Sequence, residues 1–183
     1  VLIRVLYFLV FCCTASWLPV LADYCADQGL SGTQTSLVLS MTPIMMFAVQ
    51  PFYGILADKV GYKKSLLLAS LFSSISYALY LFGNGFAWIL LATFLMSVFY
   101  NTIQPILDSL ALQLVKRDSS FSYGTLRVAG ALGWSITGII IGQVIDQAHI
   151  SWIFLVSSIS MGLFFLFSFF LKEESENTIA IES

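Results

Sequence analysis

The residues best placed to do chemistry are one acid and one guanidinium, Asp108 and Arg127, each standing in apolar sequence. Arg127 lies within YGTLRVAGALGW, and the eighteen residues between it and Asp146 carry no charge. On insertion scales an arginine at the centre of a membrane helix costs at least about 2.5–3.5 kcal/mol, so it needs a partner or a water-filled cavity. Asp108 answers that need by position. If the chain reverses near Asp118, Asp108 lies ten residues before the tip and Arg127 nine after it. On antiparallel helices both then sit roughly 14 Å from the turn, at matched depth. The chemistry open to such a pair is charge exchange: a solute or proton that takes one partner changes the field at the other.

Asp108 also ends a polar stripe. Ser97, Asn101, Gln104 and Asp108 follow at intervals of 4, 3 and 4 residues, which places them on one helix face. Polar groups within lipid face protein or water, so the stripe is expected to line a cavity with Asp108 and Arg127 in its inner part. The competing reading is an ion pair that only fixes the hairpin. Against it stands the desolvation of two charges, which makes a purely structural clip expensive.

The elements that must position these residues follow from composition. The chain has 183 residues, 58% hydrophobic and 10% charged, where a soluble domain carries roughly 25% charged residues. Residues 5–22, 28–57, 65–107, 128–145 and 147–171 contain no Asp, Glu, Lys or Arg. A helix of about 20 apolar residues crosses a bilayer core about 30 Å thick. The stretch 65–107 is about twice that reach and must be two crossings, with Gly83-Asn84-Gly85 as the break. The expected class is therefore an all-α membrane protein with six transmembrane helices, spanning about 3–22, 34–57, 65–83, 87–112, 122–145 and 151–171. Residues 172–183 form a short acidic, polar tail.

Charge sets the expected orientation. Arg4, Lys59, Lys63, Lys64, Lys116, Arg117 and Lys172 all fall on the side of the termini, and none falls in the three opposite loops. Basic residues flank cytoplasmic ends, so both termini are expected in the cytoplasm. The first span lacks a small-residue cleavage site before Asp23, which argues against a signal peptide. Cys12 and Cys13 are adjacent and Cys25 follows, so no disulfide framework is implied. Nor is there a metal-ligand spacing, a phosphate loop, a nucleophile–base set or a basic nucleic-acid face, and neither cofactor nor metal is expected.

The loop GILADKVGYKK, Gly54 to Lys64, sits between the second and third spans. Gly54 is expected to admit a neighbouring helix, and Gly61 to permit a tight reversal. Asp58 opposes the dipole at the end of its helix and calls for compensation from Lys59, Lys63 or the pair Lys116-Arg117. By itself the loop is equally a basic membrane loop with an incidental acid. Its pattern, Gly54, Asp58, Lys59, Gly61, Lys63 and Lys64, resembles the signature loop of the major facilitator superfamily, with Tyr62 where a basic residue is common. Gly29–Gln34 in the preceding loop and Gln50-Pro51 resemble the same superfamily.

A narrower resemblance covers Asp108 to Trp134. It is similar to the fourth-to-fifth helix hairpin of proton symporters of the lactose permease and phenylpropionate permease-like type: a carboxylate, a basic loop, an aromatic-glycine, an arginine, then glycine-tryptophan. Asp108, Arg127 and Trp134 match the pattern, with aspartate in place of glutamate and a spacing one residue longer. Among the glycines of the fifth span, Gly138 and Gly142 form a small-xxx-small pair expected to pack closely on another helix. The glycine-proline signature of drug antiporters is absent from this span, which favours symport or uniport.

The resemblance implies one half of a twelve-helix major facilitator fold, its N-terminal six-helix bundle, with a second six-helix half and a midplane substrate site between the two. The start at Val1 and the stop just past the sixth span read as a truncated chain. The implied function is secondary active transport of a small solute across the cytoplasmic membrane by alternating access, with proton-coupled symport first. A facilitator, uniporter or channel-like six-helix protein without proton coupling is the alternative. Asp108, Arg127, Asn101, Gln104 and Trp134 would form the substrate and proton pathway, and the Gly54–Lys64 motif a conformational latch. An intramembrane enzyme is disfavoured, since Asp108 is the one acid found within a span.

Overall fold

Prolines and glycines set where the apolar helices of this chain bend and stop. The computed structural model describes residues 1–118 and 122–171; the tip of the expected Asp108–Arg127 hairpin and the tail at 172–183 lie outside them. The described residues form eight α-helices: α1 Leu2–Trp17, α2 Leu21–Asp27, α3 Gly32–Val60, α4 Tyr62–Leu79, α5 Phe86–Tyr100, α6 Ile103–Arg117, α7 Tyr123–Gln147 and α8 Trp152–Ser168. A 3-10 turn at Leu18–Val20, carrying Pro19, joins α1 to α2. The first apolar segment therefore runs to Asp27 in two pieces, beyond the end expected near residue 22, and Cys25 is buried within it.

The fourth segment is broken too. Asn101 and Thr102 form a turn between α5 and α6. Pro105, in the first turn of α6, has no N–H to offer the carbonyl of Asn101 four residues back. By contrast α3 passes through Pro43 and Pro51 without stopping. It begins at Ser31, whose hydroxyl accepts from the Gln34 N–H at 3.4 Å while the Gln34 side chain accepts from the Ser31 N–H at 2.9 Å. It ends at Gly61, whose φ of +88° is a conformation that favours glycine, so the reversal into α4 occurs where the sequence placed it.

Among the described residues four segments are long and apolar enough to cross a membrane: Leu2–Asp27, Gly32–Val60, Phe86–Arg117 and Tyr123–Gln147. Of the remaining two expected crossings, α8 is an apolar helix of 17 residues, and α4 has 18 residues with Lys63 and Lys64 in its first turn.

The first helix is the axis of the bundle. α1 packs most extensively on α7 and α8, and α4 on α8 and α5, whereas α6 and α7 touch each other only lightly. Leu6, Tyr7, Val10, Cys13 and Trp17 of α1 are buried. Trp17 meets Tyr77 and Tyr100 with ring centroids 6.1 Å away in each case, and Tyr80 stacks on Phe154 at 3.8 Å. Serines stitch α4 to α8: the Ser74 hydroxyl donates to the Ser158 carbonyl at 2.8 Å, and the Ser158 hydroxyl donates to the Ser74 carbonyl at 2.9 Å. Such bonds suit lipid, where helices gain from polar contacts that cannot be replaced by water.

Close helix approach on α7 falls at glycines other than the expected pair. A Cβ on Gly138 or Gly142 would meet nothing within 4 Å. On Gly133 it would stand 2.5 Å from the Phe8 carbonyl oxygen and on Gly130 2.7 Å from the Phe11 ring. The face of α7 bearing Gly130 and Gly133 is thus the one pressed against α1, and the Cys12 thiol donates to the Gly133 carbonyl at 3.6 Å.

Candidate functional site

Asp108 and Arg127 are both held by tyrosines, not by each other. The Tyr7 hydroxyl of α1 donates to Asp108 Oδ1 at 2.5 Å. Arg127 Nη1 donates to the Tyr123 hydroxyl, one turn earlier on α7, at 3.2 Å. Its guanidinium lies 5.9 Å from the centre of the Phe11 ring and 5.8 Å from that of Tyr123, within reach of cation–π attraction. Among the described residues no ion pair joins Asp108 to Arg127. The physical reason is the position of α1, which packs on both α6 and α7 and leaves these two little contact with each other. Matched depth along a hairpin fixes height, not the direction in which side chains point.

Burial separates the two charges further. Asp108 is half-buried and Tyr7 fully buried, whereas Arg127 is exposed on the surface of the bundle. Tyr7 of α1 thus stands beside the acid of α6, and Tyr123 of α7 beside the guanidinium. Tyr7, Phe11 and Tyr123 are passed over by a search for charged residues. The signal available was a hydroxyl in the apolar run VLYFLV and an aromatic four residues before Arg127.

The polar stripe divides at the break between α5 and α6. Ser97 is buried with its hydroxyl 3.1 Å from that of Thr42, and Asn101 Nδ2 donates to the Thr42 carbonyl at 3.0 Å. These two tie α5 to α3 instead of lining a cavity with Asp108. Gln104 is half-buried, and Trp134 is 37% exposed on α7.

A cavity of about 420 Å³ lies instead between α3 and α6, lined by Gln50, Tyr53, Gly54 and Asp58 on one side and by Pro105 and Ser109 on the other. Gly54 faces this space, and a Cβ there would meet nothing within 4 Å, so the close helix approach expected at Gly54 is not made among the described residues. Asp58 and Lys59 are exposed at the end of α3, and Lys63 and Lys64 lie in the first turn of α4. At the opposite end of the bundle His149 Nε2 stands 3.6 Å from Asp27 Oδ2, both exposed.

Membrane-length apolar helices that carry a half-buried carboxylate and an exposed guanidinium are the frame of a polytopic membrane protein, and the relatives of this chain are transporters. The chain belongs to the MFS_1 like family of the major facilitator superfamily, which it matches over residues 1–182. It is 32% identical over 145 residues to the uncharacterized transporter YwbF of Bacillus subtilis, covering 78% of this chain and 36% of that protein. To the maltose permease of Geobacillus stearothermophilus it is 30% identical over 157 residues, covering 85% and 40%. To the melibiose permease of Enterobacter cloacae it is 32% identical over 168 residues, covering 80% and 37%. The chain thus spans well under half the length of these relatives, which are transporters and not enzymes.

Proposed function

We propose that this chain is the N-terminal six-helix half of a proton-coupled symporter for a small solute, working by alternating access in the cytoplasmic membrane with both termini inside. Maltose and melibiose permeases among its relatives favour a disaccharide as the solute. The length of those relatives supports a second helical half. Asp108 and Arg127 are the pair around which substrate binds, with Asn101, Gln104 and Trp134 as further residues of the pathway. The Gly54–Lys64 motif is a latch against the second half. One observation carries the reading: an exposed guanidinium and a half-buried carboxylate are both seated inside membrane-length apolar helices. Such groups are expensive in lipid and cluster on substrate and ion paths. An exposed Arg127 suits a cleft between two halves, and the exposed Trp134 on the same helix offers a ring for the apolar face of a sugar.

The test is uptake of radiolabelled maltose and melibiose in cells carrying the full-length transporter, with and without a collapsed proton gradient. Losing a hydrogen bond to a charged group costs about 1.5–3 kcal/mol. Asp108→Asn and Arg127→Ala should therefore each lower uptake by about tenfold or more. Wild-type rates in both would remove these residues from the pathway. Uptake that only equilibrates and ignores the proton gradient would assign a facilitator instead.

A further inference from the structure

We infer that Phe11 of α1 is a positioning residue for Arg127. Its ring seats the guanidinium while leaving the charge and most of the N–H donors to a solute. The guanidinium carbon lies 5.9 Å from the centre of the Phe11 ring and 5.8 Å from that of Tyr123, inside the roughly 6 Å reach of cation–π attraction. Among the described residues Arg127 makes one hydrogen bond, from Nη1 to the Tyr123 hydroxyl at 3.2 Å, and no ion pair. A carboxylate partner would neutralise the cation and occupy the edge of its N–H fork. An aromatic ring attracts the cation through its quadrupole and does neither. Tyr123 stands on the same helix as Arg127, one turn earlier, whereas Phe11 reaches it from α1.

A glycine of α7 makes room for the seat. Gly130 follows Arg127 by three residues, so both lie on one face of the helix. A Cβ at Gly130 would stand 2.7 Å from Phe11 Cδ2 and 3.0 Å from Cε2 and Cγ, where carbon atoms rest at about 3.5–4.0 Å. The edge of the ring therefore occupies the room that a side chain at position 130 would take. Gly133 brings the α1 backbone close in the same way, an added Cβ there standing 2.5 Å from the Phe8 carbonyl oxygen. The seam thus fixes where Phe11 stands, and Phe11 fixes where the guanidinium stands. Position matters because Arg127 is exposed, and an unsupported arginine has much rotamer freedom to lose on binding. Holding it beforehand removes part of that cost. The seat itself is independent of the transporter reading above, while its value for solute affinity rests on that reading.

The test uses membrane vesicles holding the full-length protein and phenylglyoxal, a membrane-permeant reagent for guanidinium groups. Adducts on Arg127 are quantified by mass spectrometry. Phe11→Leu removes the ring and keeps an apolar side chain. Loss of a cation–π contact at an exposed site should raise the modification rate about two- to fivefold. Phe11→Tyr keeps a ring and should stay at the wild-type rate. Gly130→Ala pushes the ring off its place and should raise the rate as well, yet add little in the Phe11→Leu background. Phe8→Leu removes a ring of α1 that is not one of the two beside Arg127, and should leave the rate unchanged. Wild-type reactivity in Phe11→Leu overturns the proposal, and so does an equal rise in Phe11→Tyr or in Phe8→Leu. Uptake of radiolabelled maltose and melibiose separates the seat from the site. With both readings right, Phe11→Leu raises KM about two- to fivefold at nearly unchanged kcat, and Phe11→Tyr restores it. If modification rises in Phe11→Leu while Arg127→Ala keeps wild-type uptake, the seat stands and the pathway assignment falls. If Arg127→Ala loses uptake while Phe11→Leu stays at wild-type reactivity, the seat falls and the pathway assignment stands.

Discussion

The bundle is held differently on its two sides. On one, α4 and α8 each bury seven side chains, four or three of them serines, and are joined by the reciprocal Ser74–Ser158 bonds. On the other, α3 buries only Val38 and Ala57 among 29 residues, while Phe47 is 88% and Phe52 72% exposed. Neither α4 nor α8 carries a charged residue beyond the first turn of α4. The carboxylate, the guanidinium and the cavity all lie away from this stitched wall, along α3, α6 and α7. Segments with few buried contacts open and shift at little cost. The difference teaches that the firm wall serves as a frame, and that the groups suited to binding sit on the helices least committed to it.

The largest effect that would break this comparison concerns large side chains. Phe154 is fully buried against Tyr80 and Tyr24. Phe154→Ala should lose about 3–5 kcal/mol of stability to the cavity it leaves. Phe47→Ala, on the exposed face of α3, should change stability by no more than about 0.5 kcal/mol. Denaturant unfolding of the purified protein in detergent would measure both. Similar losses would mean that α3 is as firmly packed as α8. Next in size is a contrast within α7 itself. Gly133→Leu forces a side chain into the Phe8 backbone and should cost about 1–3 kcal/mol. Gly138→Leu, facing open space, should be close to neutral. A neutral Gly133→Leu would remove the close α1–α7 seam.

Those glycines also show where sequence stops informing. The breaks were legible: Gly83-Asn84-Gly85 lies between α4 and α5, and Gly61 turns α3 into α4 with a positive φ. Both are local, since glycine answers to the backbone at its own position. Which glycines of α7 meet a neighbour is a question of azimuth. A helix that is apolar all round carries no stripe to say which face turns inward. Gly138 and Gly142 fitted the small-xxx-small pattern, yet Gly130 and Gly133 hold the contact. The same limit applies to Asp108 and Arg127. Their residue types and their place in apolar sequence marked them for attention, but the insertion of α1 between their helices is a long-range fact. No spacing along the hairpin encodes Tyr7, which lies 101 residues from Asp108.

The smallest expected effect sharpens the comparison most, because it asks whether the stitched wall is stitched by its serines or only packed. In membrane proteins interhelical hydrogen bonds average about 0.6 kcal/mol in double-mutant cycles. Ser74→Ala removes one donor and leaves the Ser158 hydroxyl still bonded to a backbone carbonyl; Ser158→Ala does the converse. Since the two bonds use separate carbonyls, each single change should cost about 0.6 kcal/mol. The hydroxyls themselves lie 3.4 Å apart, so a small coupling beyond additivity is expected in the double variant. No loss in either single variant would leave close packing as the whole bond between α4 and α8. The frame would then owe its firmness to small side chains that let the two helices approach, as Ser74 and Gly162 do at 3.5 Å from an added Cβ, and not to the hydroxyls they carry.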